Sequence, residues 1–297
     1  MKWNSRIIEL INIKYPLIMG AFGGWGKAKF ASCFSNAGGL GVIAALNFPD
    51  FKDFKNDLLL MNELTSKPYG INLSLPHHNL QLNDNRKNQE KTKERYLRYV
   101  EIALNLGINV FTTSGYRADF VGRRVHDSGA LWVHKCVLIK HALSAEKLGA
   151  DAITLVGLEG TGFKNPTTQT TLINITNAKK QLKIPIIAAG GIGDANGFLS
   201  ALLMGADAVC LGTALMETEE CPVPDKIKQK WLSSNIFHSS FYNKIYNYNV
   251  KNFMAPSTAI GHNDRILSLG DFIKNLIENA ENRLKSLGFS KDSVYIS

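Results

Sequence analysis

Eight short apolar runs alternating with helix-length segments are the feature that most restricts how this chain can fold. They cover residues 16–19, 40–45, 69–75, 109–113, 131–137, 152–156, 184–189 and 208–211. Runs this short and this largely apolar, the fully apolar 184–189 above all, suit strands buried on both faces of a parallel sheet. Strand–helix alternation argues for that sheet, and eight repeats match a (β/α)8 barrel of about 250 residues. The expected fold is therefore α/β, a TIM barrel. A doubly wound dinucleotide fold fits poorly, because it wants G-x-G-x-x-G directly after its first strand. Gly20, Gly23, Gly24 and Gly26 fall at other offsets.

Residues 184–213 carry the clearest local signal. An apolar run ends at Gly190-Gly191, Asp194 is placed to cap the next helix, and a second run, 208–211, ends at Gly212-Thr213. Glycines at the carboxyl ends of adjacent strands let backbone N–H groups approach a phosphate closely. Barrel enzymes often place a phosphate site after their seventh and eighth strands. Tight-turn geometry alone is the competing explanation for the same glycines.

After Thr213 the alternation stops. Residues 214–265 contain Pro222, Pro224 and Pro256 and several aromatics, with little strand signal. They are expected to form a small helical cap inserted after the eighth strand. The barrel would then comprise 1–213 and 266–297, with a final helix over 269–287 serving as its eighth.

The 297 residues carry a formal charge of +9, which raises the question of nucleic acid. The basic residues are scattered, however, and the densest stretch, 86–98, interleaves Glu90 and Glu94, as a solvated helix face does. No nucleic-acid partner is expected. No window of about 18 uncharged apolar residues occurs, and the N-terminal stretch carries charges through its apolar part. The expectation is a cytoplasmic protein without a membrane partner. Cys33, Cys136, Cys210 and Cys221 are widely spaced, which fits reduced thiols rather than disulfides or a metal site.

Active sites in such barrels sit at the carboxyl ends of the strands. Reading those ends gives the 20–26 loop, Asn72, Ser114, Lys135, Glu159, the Gly160-Thr161-Gly162 turn and Phe163. Asn72 can present an amide to a heterocycle edge. Lys135, in an otherwise apolar strand, must meet either an anionic ligand or a barrel carboxylate. Its neighbour His134 faces the opposite side of the strand. His141, His77 and His78 read as solvated or hydrogen-bonded side chains. His262 reaches the pocket only if the cap folds over it.

Taken in order, PLIMGAFGG at 16–24, SNAGGLGVIAA at 35–45, YGINLSL at 69–75, the segment 134–162 and the segment 184–220 resemble the nitronate monooxygenase (2-nitropropane dioxygenase) family. That family of FMN-dependent barrels includes FMN-dependent enoyl-acyl-carrier-protein reductases. The resemblance implies FMN as cofactor, its phosphate on Gly190, Gly191, Gly212 and Thr213. It places Ala21, Phe22 and Gly23 along the ring, with Asn72, Lys135 and Gly162 as further cofactor contacts and Phe163 and Ser114 lining the substrate. The family often closes this loop with a histidine base; here the residue is Phe163, which cannot accept a proton. No catalytic residue is thus assigned. The implied activity is oxidation of alkyl nitronates, already carbanions, with a small-molecule substrate and O2 as partners. NAD(P)H-dependent reduction of enoyl thioesters on an acyl carrier or coenzyme A is the first alternative. A non-catalytic flavin-binding protein is the second, and a homodimer is left open.

Overall fold

The computed structural model describes residues 1–75, 86–115, 118–160, 169–239, 257–289 and 293–296. Eight of its strands form one parallel sheet. They are β2 (Leu17–Met19), β3 (Gly41–Ala44), β4 (Tyr69–Leu75), β5 (Val110–Gly115), β6 (Leu131–Cys136), β7 (Ala152–Val156), β8 (Ile186–Ala189) and β9 (Ala208–Leu211). Their order is β2-β9-β8-β7-β6-β5-β4-β3. A bridge between Ile18 and Leu40 joins the two ends. There Met19 N–H donates to the Leu40 carbonyl and Leu40 N–H to the Leu17 carbonyl, each at 2.9 Å. The sheet is thus a (β/α)8 barrel, with almost every strand residue buried, which explains the largely apolar runs.

The helices between strands are α2 (Ala28–Asn36), α3 (Phe51–Leu64), α4 (Arg86–Leu104), α5 (Asp119–His126), α6 (Ile139–Lys147), α7 (Thr171–Lys179) and α8 (Ala195–Leu203). The starts of α3, α7 and α8 follow side-chain chemistry. Asp50 caps α3 by accepting from Lys52 N at 2.6 Å, and Asp194 caps α8 by accepting from Gly197 N at 2.7 Å. Such a cap contributes about 1 kcal/mol. After β9 come a 3-10 turn (Thr213–Glu217) and α9 (Asp225–Leu232). A second 3-10 turn (Thr258–His262) precedes α10 (Leu269–Ser286), which packs on α8 and α2 and closes the helical ring.

One feature outside the repeat was not expected from sequence. β1 (Lys2–Ser5) pairs in parallel with β10 (Ser293–Ile296), and α1 (Arg6–Ile11) links β1 to the barrel. Arg6 makes two 2.7 Å bonds to the buried Asp207 carboxylate, which also accepts from Ile186 N at 2.8 Å. These four-residue strands find each other across the whole chain length, which no local pattern announces. Among the described residues, no helix is long and apolar enough to cross a membrane.

Candidate active site

Because strand side chains alternate, the inward faces of β4, β5 and β6 bring Ser74, Ser114 and Lys135 to one end of the barrel. There they line a cavity of about 460 Å³. Its other walls come from Gly20, Ala21, Phe22, Gly23 and Trp25 after β2, from Val156 and Gly160 after β7, and from Ala189 to Ile192 after β8. Cys210, Gly212, Thr213, Met216, Ser257 and Ala259 complete it. The carboxyl ends of the strands thus converge on one site.

The turn after β8 needs glycine twice over. Gly190 and Gly191 have φ of 109° and 74°, in the left-handed region. A Cβ on Gly190 would sit 2.9 Å from the Gly160 backbone nitrogen, and one on Gly191 3.0 Å from Glu159 Cβ. Glu159 itself faces away from the cavity: its Oε2 accepts from Thr171 N at 2.8 Å and Thr171 Oγ1 at 2.9 Å. It braces the start of α7 against the loops after β7 and β8.

After β2 the 20–26 loop is held from outside. The Asn47 amide donates to the carbonyls of Phe22 (3.0 Å) and Gly26 (3.1 Å), and its oxygen accepts from Gly24 N at 2.6 Å. Phe22 also packs on Phe30, ring centres 5.4 Å apart. The loop is therefore shaped before any ligand arrives.

The opposite wall is built of side chains. Ser74 and Ser114 hydroxyls lie 2.9 Å apart, Ser74 Oγ donates to Asn72 Oδ1 at 2.9 Å, and Asn72 Nδ2 donates to Thr112 Oγ1 at 2.9 Å. Asn72 does not line the cavity; it sits one layer below, on the Ser74 face of β4, and orients that serine. Lys135 lines the cavity with no carboxylate in ion-pair reach among the described residues. Burial pushes the Cys210 thiol up, and the nearby Lys135 opposes that shift. Thr213 Oγ1 accepts from Ser257 N at 3.0 Å.

The histidines divide as their positions in sequence imply. His134 faces outward, its Nδ1 2.8 Å from Thr113 Oγ1, which also accepts from Trp132 Nε1 at 2.8 Å. Burial lowers His134 to about 4, so it is neutral and remote from the cavity at pH 7. His262 does come over the barrel: its Nε2 donates to the Gly191 carbonyl at 3.2 Å. No histidine, aspartate or glutamate lines the cavity among the described residues. Thr161, Gly162, Phe163, His77 and His78 lie outside them.

Several lining residues escaped the sequence reading. Ser74 was within reach, two positions after Asn72 and so on the same strand face. Cys210, on the inward face of β9, was reachable the same way. Ser257 and Ala259 arrive from far along the chain, in the stretch 255–281 that resembles the family's closing segment, and no strand end marks them as lining the cavity.

A model of the nitronate monooxygenase family matches residues 4–250. The chain is 28% identical over 237 residues to the (3aS,4S,5R,7aS)-5-hydroxy-7a-methyl-1-oxo-octahydro-1H-indene-4-carboxyl-CoA dehydrogenase of Mycobacterium tuberculosis, covering 80% of this chain and 62% of that protein. It is 26% identical over 249 residues to a probable nitronate monooxygenase of Staphylococcus saprophyticus, covering 74% of this chain and 70% of the other. The fold resembles that of FabK from Thermotoga maritima with a TM-score of 0.79 at 20% identity, over 96% of this chain and 98% of that one.

Proposed function

The chain belongs to the nitronate monooxygenase family of flavin-dependent oxidoreductase barrels, and on that premise we propose that its cavity holds FMN and oxidises alkyl nitronates or similar small anionic carbanions with O2. The cavity suits such a group. Its volume lies in the range of cofactor pockets, about 300–1,000 Å³. Paired left-handed glycines beside Gly212-Thr213 offer backbone N–H groups to a phosphate. Lys135 supplies a cation without a protein counter-ion among the described residues. Ala21, Phe22 and Gly23 offer a shaped edge for a flat ring system, and Gly162 is proposed to join them. FMN, when bound, supplies the redox chemistry.

What the chain's own residues do follows from their chemistry. Ser114 and the Ser74–Asn72–Thr112 relay orient polar groups, while Trp25, Ile192, Met216 and Ala259 exclude water. Lys135 favours an anion in its neighbourhood. The observation that carries the substrate class is that no histidine, aspartate or glutamate lines the cavity among the described residues. With Phe163 at the position of the family's base, a substrate already ionised needs no proton removed. The proposal includes residues 214–265 as a cap over the barrel formed by 1–213 and 266–297, and a cytoplasmic location in keeping with four free cysteines.

The visible spectrum of purified protein tests the cofactor, and its bleaching under nitrogen tests the donor. We expect flavin bands that bleach with propyl-2-nitronate and far more slowly with neutral 2-nitropropane. Rapid turnover of the neutral form would count against the reading. A second reading, NAD(P)H-dependent reduction of an enoyl thioester, is favoured by the coenzyme A ester in the name of the Mycobacterium tuberculosis relative. Bleaching by NADH or NADPH instead of nitronate would select it. Bound FMN that no donor reduces would select a non-catalytic flavin protein.

A further inference from the structure

We propose that residues 257–263 are a strap that completes the phosphate end of this cavity, and that docking of the strap and binding of the phosphate reinforce each other. The inference rests on the FMN reading above and concerns how this chain holds that cofactor.

One end of the strap sets two hydroxyl groups. Ser257 N–H donates to Thr213 Oγ1 at 3.0 Å, and Ala259 N–H donates to Ser257 Oγ at 3.2 Å. Each hydroxyl oxygen thereby accepts a backbone N–H hydrogen bond, and neither hydroxyl donates to an acceptor among the described residues. Both residues line the cavity, with Thr213 6% and Ser257 2% exposed. A buried donor without an acceptor is costly, so the pair is set to donate to an acceptor-rich ligand.

The other end reaches the second glycine turn. His262 Nε2 donates to the Gly191 carbonyl, occupying the negative end of that peptide, and Nδ1 lies 3.8 Å from the Asp194 carboxylate. Gly193 lets the ring lie close, since a Cβ there would be 2.9 Å from His262 Cδ2. The fastener is off the cavity: Asn263 Nδ2 donates to the Ala214 carbonyl and to Glu217 Oε2, both at 2.9 Å. The strap therefore ties the turn after β8 to the turn after β9. Its contacts span 44 residues to Thr213 and 71 to Gly191. By linkage, whatever a phosphate gains from a docked strap, the strap gains from the phosphate.

Titrating flavin-free full-length protein with FMN and with riboflavin, followed by fluorescence quenching, separates the phosphate end from the ring. We expect FMN to bind more tightly than riboflavin. Asn263→Ala, His262→Ala and Ser257→Ala should each weaken FMN about tenfold, within the usual range of coupling, and leave riboflavin nearly unchanged. His262→Gln and Ser257→Thr, which keep the donors, should restore much of the difference. FMN should also slow proteolysis within 257–263 in the wild type. Equal losses for both ligands, or none, overturn the strap while leaving the FMN reading standing. Wild-type protein that binds neither flavin overturns both. If Asn263→Ala fails to fold, the Ser257 pair decides alone.

Discussion

Two halves of the cavity are made of different material. After β8 and β9 the wall is led by backbone: Gly190, Gly191 and Gly212 offer peptide groups beside the Thr213 hydroxyl. Along β4, β5 and β6 the wall is Ser74, Ser114 and Lys135, with Asn72 and Thr112 beneath them. At Gly190 and Gly191 the backbone half tolerates almost no substitution, because the left-handed turn excludes a Cβ there, whereas a Cβ on Gly212 would meet open space. The side-chain half can vary in chemistry while the barrel stands. A fold that keeps its cofactor turn while changing substrates would be expected to divide its labour this way.

Breaking the backbone half should cost most. Gly190→Ala puts a Cβ 2.9 Å from the Gly160 nitrogen and forces alanine to a φ of 109°. We expect a stability loss of at least about 1–2 kcal/mol from the left-handed backbone alone. Purified protein should also lack flavin absorbance; thermal melting and the visible spectrum read both. Alanine there with full FMN content would show that the turn is not the phosphate jaw.

On the side-chain half, Lys135→Met should preserve the melting temperature and weaken FMN about tenfold or more, the scale of one charge-assisted bond. Lys135→Arg should retain most of the affinity, whereas no substitution rescues Gly190. A Met variant with wild-type FMN affinity would place the cation outside the cofactor site.

The smallest expected effect lies beneath the strap. Burial raises the Glu217 carboxyl to about 7, with its bond from Asn263 pulling the other way. A carboxyl raised in the folded chain holds its proton more tightly there. Its stabilisation is complete below its unfolded value, about 4.3, and is lost as pH climbs toward 7. Glu217→Gln keeps an acceptor for Asn263 and removes the titration. The variant should therefore gain melting temperature over wild type at pH 8 but not at pH 4. An equal shift at both values would show that Glu217 does not titrate in this range.

The strand ends that repeat were legible in sequence because each is local: an apolar run and a stop, followed after β8 by the Asp194 cap. That logic located Gly190, Gly191, Gly212, Thr213, Ser114 and Lys135, and it identified Asp194 as a cap. It also separated His134 from Lys135 by strand alternation. It placed Asn72 at the site, whereas the structure holds it one layer down, because alternation gives a residue's face but not its depth. The pairing of β1 with β10 and the arrival of Ser257, Ala259 and His262 depend on contacts across long stretches of chain.

From its own pattern, then, the chain determined the barrel and the glycine turns, since periodicity and backbone sterics act over a few residues. Which hydroxyl oxygens at the cavity wall accept backbone N–H groups, and what ties the two turns together, only the tertiary structure decided. Hydrogen-bond polarity is set by partners 44 and 71 residues away, which meet only once the barrel has closed.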